Sequence, residues 1–135
     1  MKDRWEFCEP RKGCQIRVNR GGYYHHGIYV DDNTVVHFGG AESDITADPD
    51  GIEVRAVTLG QFLRDGFLEV RKVSFPALHG FFKPERAAAN AMSHIGEGGY
   101  NLLRNNCEHF SNLCARGKKE SGQAAAFGAN DSESL

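Results

Sequence analysis

The chain has 135 residues, of which 40% are hydrophobic, and a formal net charge of −2; these values fit one compact domain with its own core. A near-neutral chain has no basic surplus to neutralise phosphates, which argues against nucleic acid as a main partner. No apolar run approaches the ~20 residues of a membrane span, and the first residues lead into no signal peptide. The four cysteines are therefore expected as reduced thiols in a cytoplasmic protein.

The first half of the chain predicts strands. Residues 15–19 (QIRVN) alternate polar and apolar side chains, as a half-buried strand does. Residues 23–31 (YYHHGIYVD) and 34–38 (TVVHF) are rich in aromatic and β-branched residues and flank a turn cluster, which predicts a hairpin. Residues 39–51 are acidic and rich in turn formers. They predict a surface loop, because the spacing of their carboxylates does not match a calcium-binding EF-hand.

The second half adds helices. Thr58 can cap a short helix, LGQFLRD, that Gly66 stops. Pro84 suits the first position of the helix ERAAANAMSHI. A last helix is predicted over residues 105–115, with Gly117 just past its end. The fold class is α+β, with helices packed on an antiparallel sheet. Two further strands are predicted over residues 52–57 (IEVRAV) and 67–73 (FLEVRKV).

Cys107 lies near the predicted start of the last helix. Asn105 and Glu108 have the spacing of a capping box, which places Cys107 in the first turn. The helix dipole and the free backbone N–H groups there favour an anion, so the pKa of the thiol is expected below its ordinary value. Cys107 shares an apolar stripe with Phe110 and Cys114, which should turn the thiol toward the sheet. Inert packing is the alternative for any buried cysteine.

A cysteine nucleophile needs an imidazole to take its proton and a third group to orient that imidazole. His25, His26 and His37 lie on the two arms of the predicted hairpin. A two-residue loop over 32–33 puts His26 on the face of His37, whereas a three-residue loop or a bulge puts His25 there. The residues alone leave both open. Zinc binding by these histidines with Cys107 is disfavoured, because the paired spacings of a zinc site are missing.

The segments HHGIYV (25–30), VVHF (35–38) and NNCEHF (105–110) resemble the signature of the lecithin:retinol acyltransferase family. That family includes the H-Ras-like suppressor phospholipase/acyltransferases and bacterial members, and the chain looks like a bacterial-type member. The resemblance runs from about residue 11 to residue 117. It implies a circularly permuted papain-like fold, in which the histidine strand precedes the cysteine helix. The expected organisation is a catalytic domain over residues 1–117 and a polar, flexible tail over residues 118–135.

The resemblance also implies a site and a reaction. Cys107 would be the nucleophile, His25 its general base and His37 the group that orients and stabilises His25. The implied function is a thiol-dependent acyltransferase or phospholipase A-type hydrolase of acyl esters, without metal or other cofactor. Its partners would be a phospholipid acyl donor and an acyl acceptor, with transient contact to a membrane surface. The alternatives are a cysteine peptidase or amidase of the same fold and a non-catalytic binding module.

Membrane contact would use an exposed apolar loop, and residues 75–82 (FPALHGFF) are the candidate. Packing of this segment in the core is the alternative interpretation.

Overall fold

A computed structural model describes residues 3–41, 43–44, 49–101 and 106–120. The strands within these residues are β1 (Asp3–Glu6), β2 (Gln15–Asn19), β3 (Tyr24–Asp31), β4 (Thr34–Gly39), β5 (Glu53–Val57) and β6 (Leu68–Val73). The α-helices are α1 (Leu59–Leu63), α2 (Pro84–Ser93) and α3 (Cys107–Arg116). The strands form one antiparallel sheet in the order β1-β6-β2-β3-β4-β5. The predicted α+β class is confirmed.

The sheet packs a hydrophobic cluster on each face. On one face Ile28 and Phe38 meet residues of α2 and α3, among them Phe110. On the other face Ile16 and Val18 meet Phe62 of α1. Because side chains alternate along a strand, odd-numbered residues of β3 lie on the α1 face and even-numbered residues lie on the α3 face.

The β3–β4 hairpin settles which histidine shares a face with His37. Its turn has two residues, because Asp31 pairs with Thr34. A bulge between Tyr29 and Asp31 then shifts the register, so that Gly27 faces His37. His25, two residues before Gly27, therefore lies on the face of His37, and His26 lies on the opposite face. This arrangement of the histidines is the one expected for a three-residue loop, although here a two-residue turn with a bulge produces it.

Two helix ends differ from the sequence prediction. Thr58 caps α1 in a full capping box with Gln61, as predicted for the start. However, α1 ends at Leu63 because Arg64 adopts the left-handed conformation (φ 48°), so Gly66 does not stop the helix. The cap of α3 is Asn106, whose side chain accepts from the backbone of Glu108 and His109. Asn105, the predicted cap, lies outside the described residues.

Other segments also depart from the prediction. Strand β1 was not predicted, and it extends the sheet by pairing with β6. The predicted surface loop after β4 contains a buried residue, Asp44, and a short 3₁₀ turn at Pro49–Gly51. Residues 121–135 of the predicted tail lie outside the described part. In the segment 75–82, Phe75 and Leu78 are exposed, whereas Phe81 packs against the α3-side core. No described helix is long and apolar enough to cross a membrane.

Candidate active site

His25 and His37 meet on the α1 face of the sheet. Nε2 of His25 lies 2.8 Å from Nδ1 of His37, so the two rings share a hydrogen bond. The ring of Phe62 packs against both imidazoles, and its centroid lies 5.3 Å from the ring centroid of His25 and 5.9 Å from that of His37. Gly27 permits this packing, because a Cβ there would lie 2.9 Å from the Phe62 ring. The pair that the family resemblance selected is therefore in direct contact.

A carboxylate that the sequence did not single out stands beside the imidazole pair. Oδ1 of Asp44 lies 3.4 Å from Nε2 of His25, and Asp44 is only 2% exposed. Arg20 donates to both carboxylate oxygens, at 2.6 Å and 3.2 Å, and Tyr23 donates its hydroxyl at 2.7 Å. Arg64 adds a second guanidinium, 3.5 Å from Oδ1. This network compensates the desolvation that a lone buried carboxylate would suffer.

Burial sets the charge states of these groups. Desolvation alone would raise the pKa of Asp44, but hydrogen bonds from Arg20 and the neighbouring charges outweigh it and lower that pKa to about 2. Burial lowers the pKa of His25 well below 6.5, and His37 lowers it further, although Asp44 opposes both effects. Burial likewise lowers the pKa of His37 to about 4. At neutral pH the site therefore holds an ionised carboxylate beside two neutral imidazoles.

Cys107 is the first residue of α3, as the sequence predicts for a helix start. Its sulfur lies 3.9 Å from the carbonyl oxygen of Tyr24, and the backbone N–H of His26 forms a hydrogen bond that favours its thiolate. Tyr24 and His26 flank His25 in β3. The thiol is thus held against the two peptide groups on either side of the His25 backbone, and its hydrogen-bond partners among the described residues are backbone groups.

The expected depression of the thiol pKa is wrong. Cys107 is 3% exposed, and its burial raises the pKa to about 12. The His26 and Glu108 backbone amides lower the pKa, but by less than desolvation raises it. The side chain of Asn106 also accepts the N–H groups of Glu108 and His109, at 3.0 Å each, so the helix cap shares the Glu108 donor with the thiol.

His26 has a separate environment on the α3 face. Its Nε2 lies 3.7 Å from a carboxylate oxygen of Glu108, and its ring packs edge-on against Trp5. It is therefore not part of the His25–His37 pair. Among the described residues, no group of three or more histidine, cysteine or acidic side chains is arranged to hold a metal ion.

Sequence reasoning missed Asp44, Arg20 and Arg64. Asp44 lies in an acidic segment whose other carboxylates have the same local context, and nothing in the spacing separates it from them. Arg20 reads as an ordinary charge at a turn. The sequence gives one indication of this network: Arg20 and Tyr23 lie shortly before the histidine strand. The sequence alone assigns these two residues no role.

Comparison with known proteins gives the relationship. The sequence model of the family described as "Lecithin retinol acyltransferase" matches residues 8–120. The chain belongs to the lecithin retinol acyltransferase family. Two curated members are similar to it, the lecithin retinol acyltransferases of Mus musculus and Rattus norvegicus, each 28% identical over 86% of this chain. The chain spans 58% of the length of each of these relatives. The family assignment made from the three sequence segments is confirmed.

Proposed function

We propose that the chain is a thiol-dependent acyltransferase or acyl hydrolase that acts on acyl esters of phospholipids through a thioester on Cys107. Two observations support the proposal: the hydrogen-bonded His25–His37 pair stands beside an ionised Asp44, and the sulfur of Cys107 contacts the carbonyl oxygen of Tyr24, the residue that directly precedes His25 in β3. The name of the curated relatives pairs lecithin, a phospholipid, with acyl transfer. The order of the histidine hairpin before the cysteine helix agrees with a circularly permuted papain-like fold, which we also infer.

The proposed first step begins from neutral partners. Nε2 of His25 is engaged by His37, which leaves Nδ1 as the atom that takes the thiol proton. The sulfur attacks the ester carbonyl as the proton leaves, so a stable thiolate is never required. The imidazolium that forms is stabilised by the Asp44 carboxylate and by the contact with His37. Proton removal during the attack, together with stabilisation of the imidazolium, explains how a thiol of raised pKa can still act as a nucleophile.

The remaining steps follow from the same groups. The tetrahedral oxyanion needs a backbone donor, and the N–H of Cys107 itself is the first-turn amide that the Asn106 cap does not accept. The C–O bond of the ester breaks, and the imidazolium gives its proton to the leaving alkoxide. Water, an alcohol or an amine then attacks the thioester, its proton passes to His25, and the sulfur recovers that proton.

A labelled phosphatidylcholine in mixed micelles tests the proposal. An acyl adduct of Cys107, found by mass spectrometry of peptides, is expected in the wild type and absent in Cys107→Ala. Cys114→Ala is the matched control, because Cys114 lies in the same helix and is equally buried. If Cys107 forms adducts only with peptide amides, the proposal is wrong and the protein is a cysteine peptidase. If it forms adducts with neither acyl esters nor peptide amides, the protein is a binding module.

Asp44→Asn tests the supporting carboxylate. Loss of the charge next to His25 should lower kcat/KM by up to about 10⁴, the loss seen when the orienting carboxylate of a catalytic triad is replaced by its amide. Asp50→Asn, in the same connection and exposed, should leave kcat/KM unchanged. The acidic limb of the pH profile of kcat/KM should also move to lower pH in this variant, because Asp44 raises the pKa of His25. Equal activity of the two variants would remove Asp44 from the mechanism.

A further inference from the structure

A concave site lies away from the candidate active site. A cavity of about 350 Å³ opens where β2 begins and β6 ends. His25 instead pairs with Val18 near the end of β2, and neither His25 nor Cys107 lines the cavity. The residues that line it include four cations and two aromatic side chains: Arg11, Lys12, Arg71, Lys72, Phe81 and Phe82.

The charged side chains that line this cavity are all positive. No carboxylate is among the described residues that line it. Arg11 and Lys12 are exposed and Lys72 is half-buried, so these side chains can reach a ligand at the rim. Arg86 adds a further cation, since its guanidinium stacks 3.8 Å above the Phe82 ring. A ligand that fits must carry negative charge on an apolar body.

An exposed apolar tip adjoins the cavity. Phe75 is 74% exposed and Leu78 is 80% exposed, and both belong to the one-turn 3₁₀ segment around Pro76–His79. Pro76 itself lines the cavity, so the tip forms part of its rim. Phe75 has φ 52° and ψ 59°, the left-handed region that side chains seldom adopt. A strained backbone that presents an aromatic ring to water is a feature of binding segments rather than of packing.

We propose that the tip and the cationic cavity together dock the protein on an anionic phospholipid bilayer. Phe75 and Leu78 enter the interface, and the cations around the cavity hold lipid headgroups. A soluble acidic partner would use the cations but would give no role to two exposed apolar side chains on a strained turn. The inference goes beyond acyl transfer and does not depend on it, because binding can be measured with Cys107→Ala.

Vesicle flotation with full-length Cys107→Ala protein tests the docking. The protein should bind vesicles of phosphatidylcholine with phosphatidylserine and bind poorly to phosphatidylcholine alone. Phe75→Ser should raise the apparent Kd about tenfold or more, the effect of losing one buried aromatic side chain. Lys12→Glu should raise it at least about fivefold, with weaker binding at high salt. Circular dichroism of each variant verifies that it is folded.

Matched variants decide whether this particular surface is used. Phe67→Ser is the apolar control, since Phe67 is 79% exposed but precedes β6 at its other end. Lys118→Glu is the charge control, because Lys118 is exposed and does not line the cavity. Both should bind like the parent protein.

Three outcomes would overturn the proposal. The first is equal loss of binding in the control variants. The second is full displacement of the protein from vesicles by a soluble acidic peptide, with no effect of Phe75→Ser. The third is binding that occurs only after residues 121–135 are deleted, which would assign the cavity to the chain's own C-terminal segment.

Discussion

The alkylation rate of Cys107 should rise steeply with pH and show no plateau near neutrality. The thiolate is the species that reacts with alkylating reagents. With the pKa raised to about 12, about one Cys107 in 10⁴ is ionised at pH 8, whereas about a quarter of an ordinary cysteine of pKa ~8.5 is ionised there. The folded protein should therefore react roughly three orders of magnitude more slowly at Cys107 than the unfolded chain does.

Iodoacetamide labelling followed by peptide mass spectrometry measures this rate separately for each of the four cysteines. The rate at Cys107 should increase about tenfold per pH unit between about pH 6 and pH 9, a range that brackets an ordinary cysteine pKa. In urea the rate at the same peptide should be half maximal near pH ~8.5 and level off above it. Cys107→Ser provides the blank for the peptide.

A plateau of fast labelling that extends below neutral pH would refute this reasoning. It would mean that a thiolate–imidazolium pair already exists in the resting protein, and that the helix N-terminus outweighs burial. If the plateau vanished in His25→Ala, the partner in that pair would be His25. The proposed mechanism would then start from charged rather than neutral groups.

The free energy of unfolding should fall as the pH drops from 6.5 toward 4. Buried His26 and His37 have pKa values of about 4, so the unfolded chain binds protons that the folded protein does not, and each costs about 1.4 kcal/mol per pH unit. Urea titrations at several pH values check this, and stability that stays flat from pH 7 to pH 5 would contradict it. Gly27→Ala should destabilise the fold by about 1–3 kcal/mol through overpacking against Phe62. Gly60→Ala, where a Cβ meets nothing within 4 Å, should instead stabilise α1 by about 0.5–1 kcal/mol; equal effects would disprove the close contact at Gly27.

Local patterns predicted most of the fold. The alternation in residues 15–19 and the β-branched runs of the hairpin gave β2, β3 and β4 almost to the residue. Thr58 and Pro84 predicted the starts of α1 and α2. These features are decided by neighbours in sequence, which is why the sequence alone reveals them. Strand β1 was missed because its residues, DRWE, carry three charges and depend on β6 for pairing.

The candidate site was predicted less completely, because its electrostatics come from distant residues. The sequence pattern indicated Asn105 as the cap of the last helix, whereas in the fold the side chain of Asn106 caps α3. The carboxylate of Asp44 matters because Arg20 reaches it across 24 residues. The helix-start rule failed at Cys107 because desolvation of the buried thiol raises its pKa by more than the nearby backbone amides lower it. Short-range spacing and the family resemblance pointed to Cys107, His25 and His37 as candidates, whereas the charge around them required the tertiary structure.

The bulge between Tyr29 and Asp31 has a consequence for insertions and deletions. Two histidines stand next to each other in β3, and a single extra residue decides which of them meets His37. Removing one residue between Gly27 and the turn would exchange them, turning His25 toward α3 and bringing His26 against Phe62. Changes of two residues would keep the original partner. Homologous hairpins that keep this histidine pair should therefore differ in length by even numbers of residues.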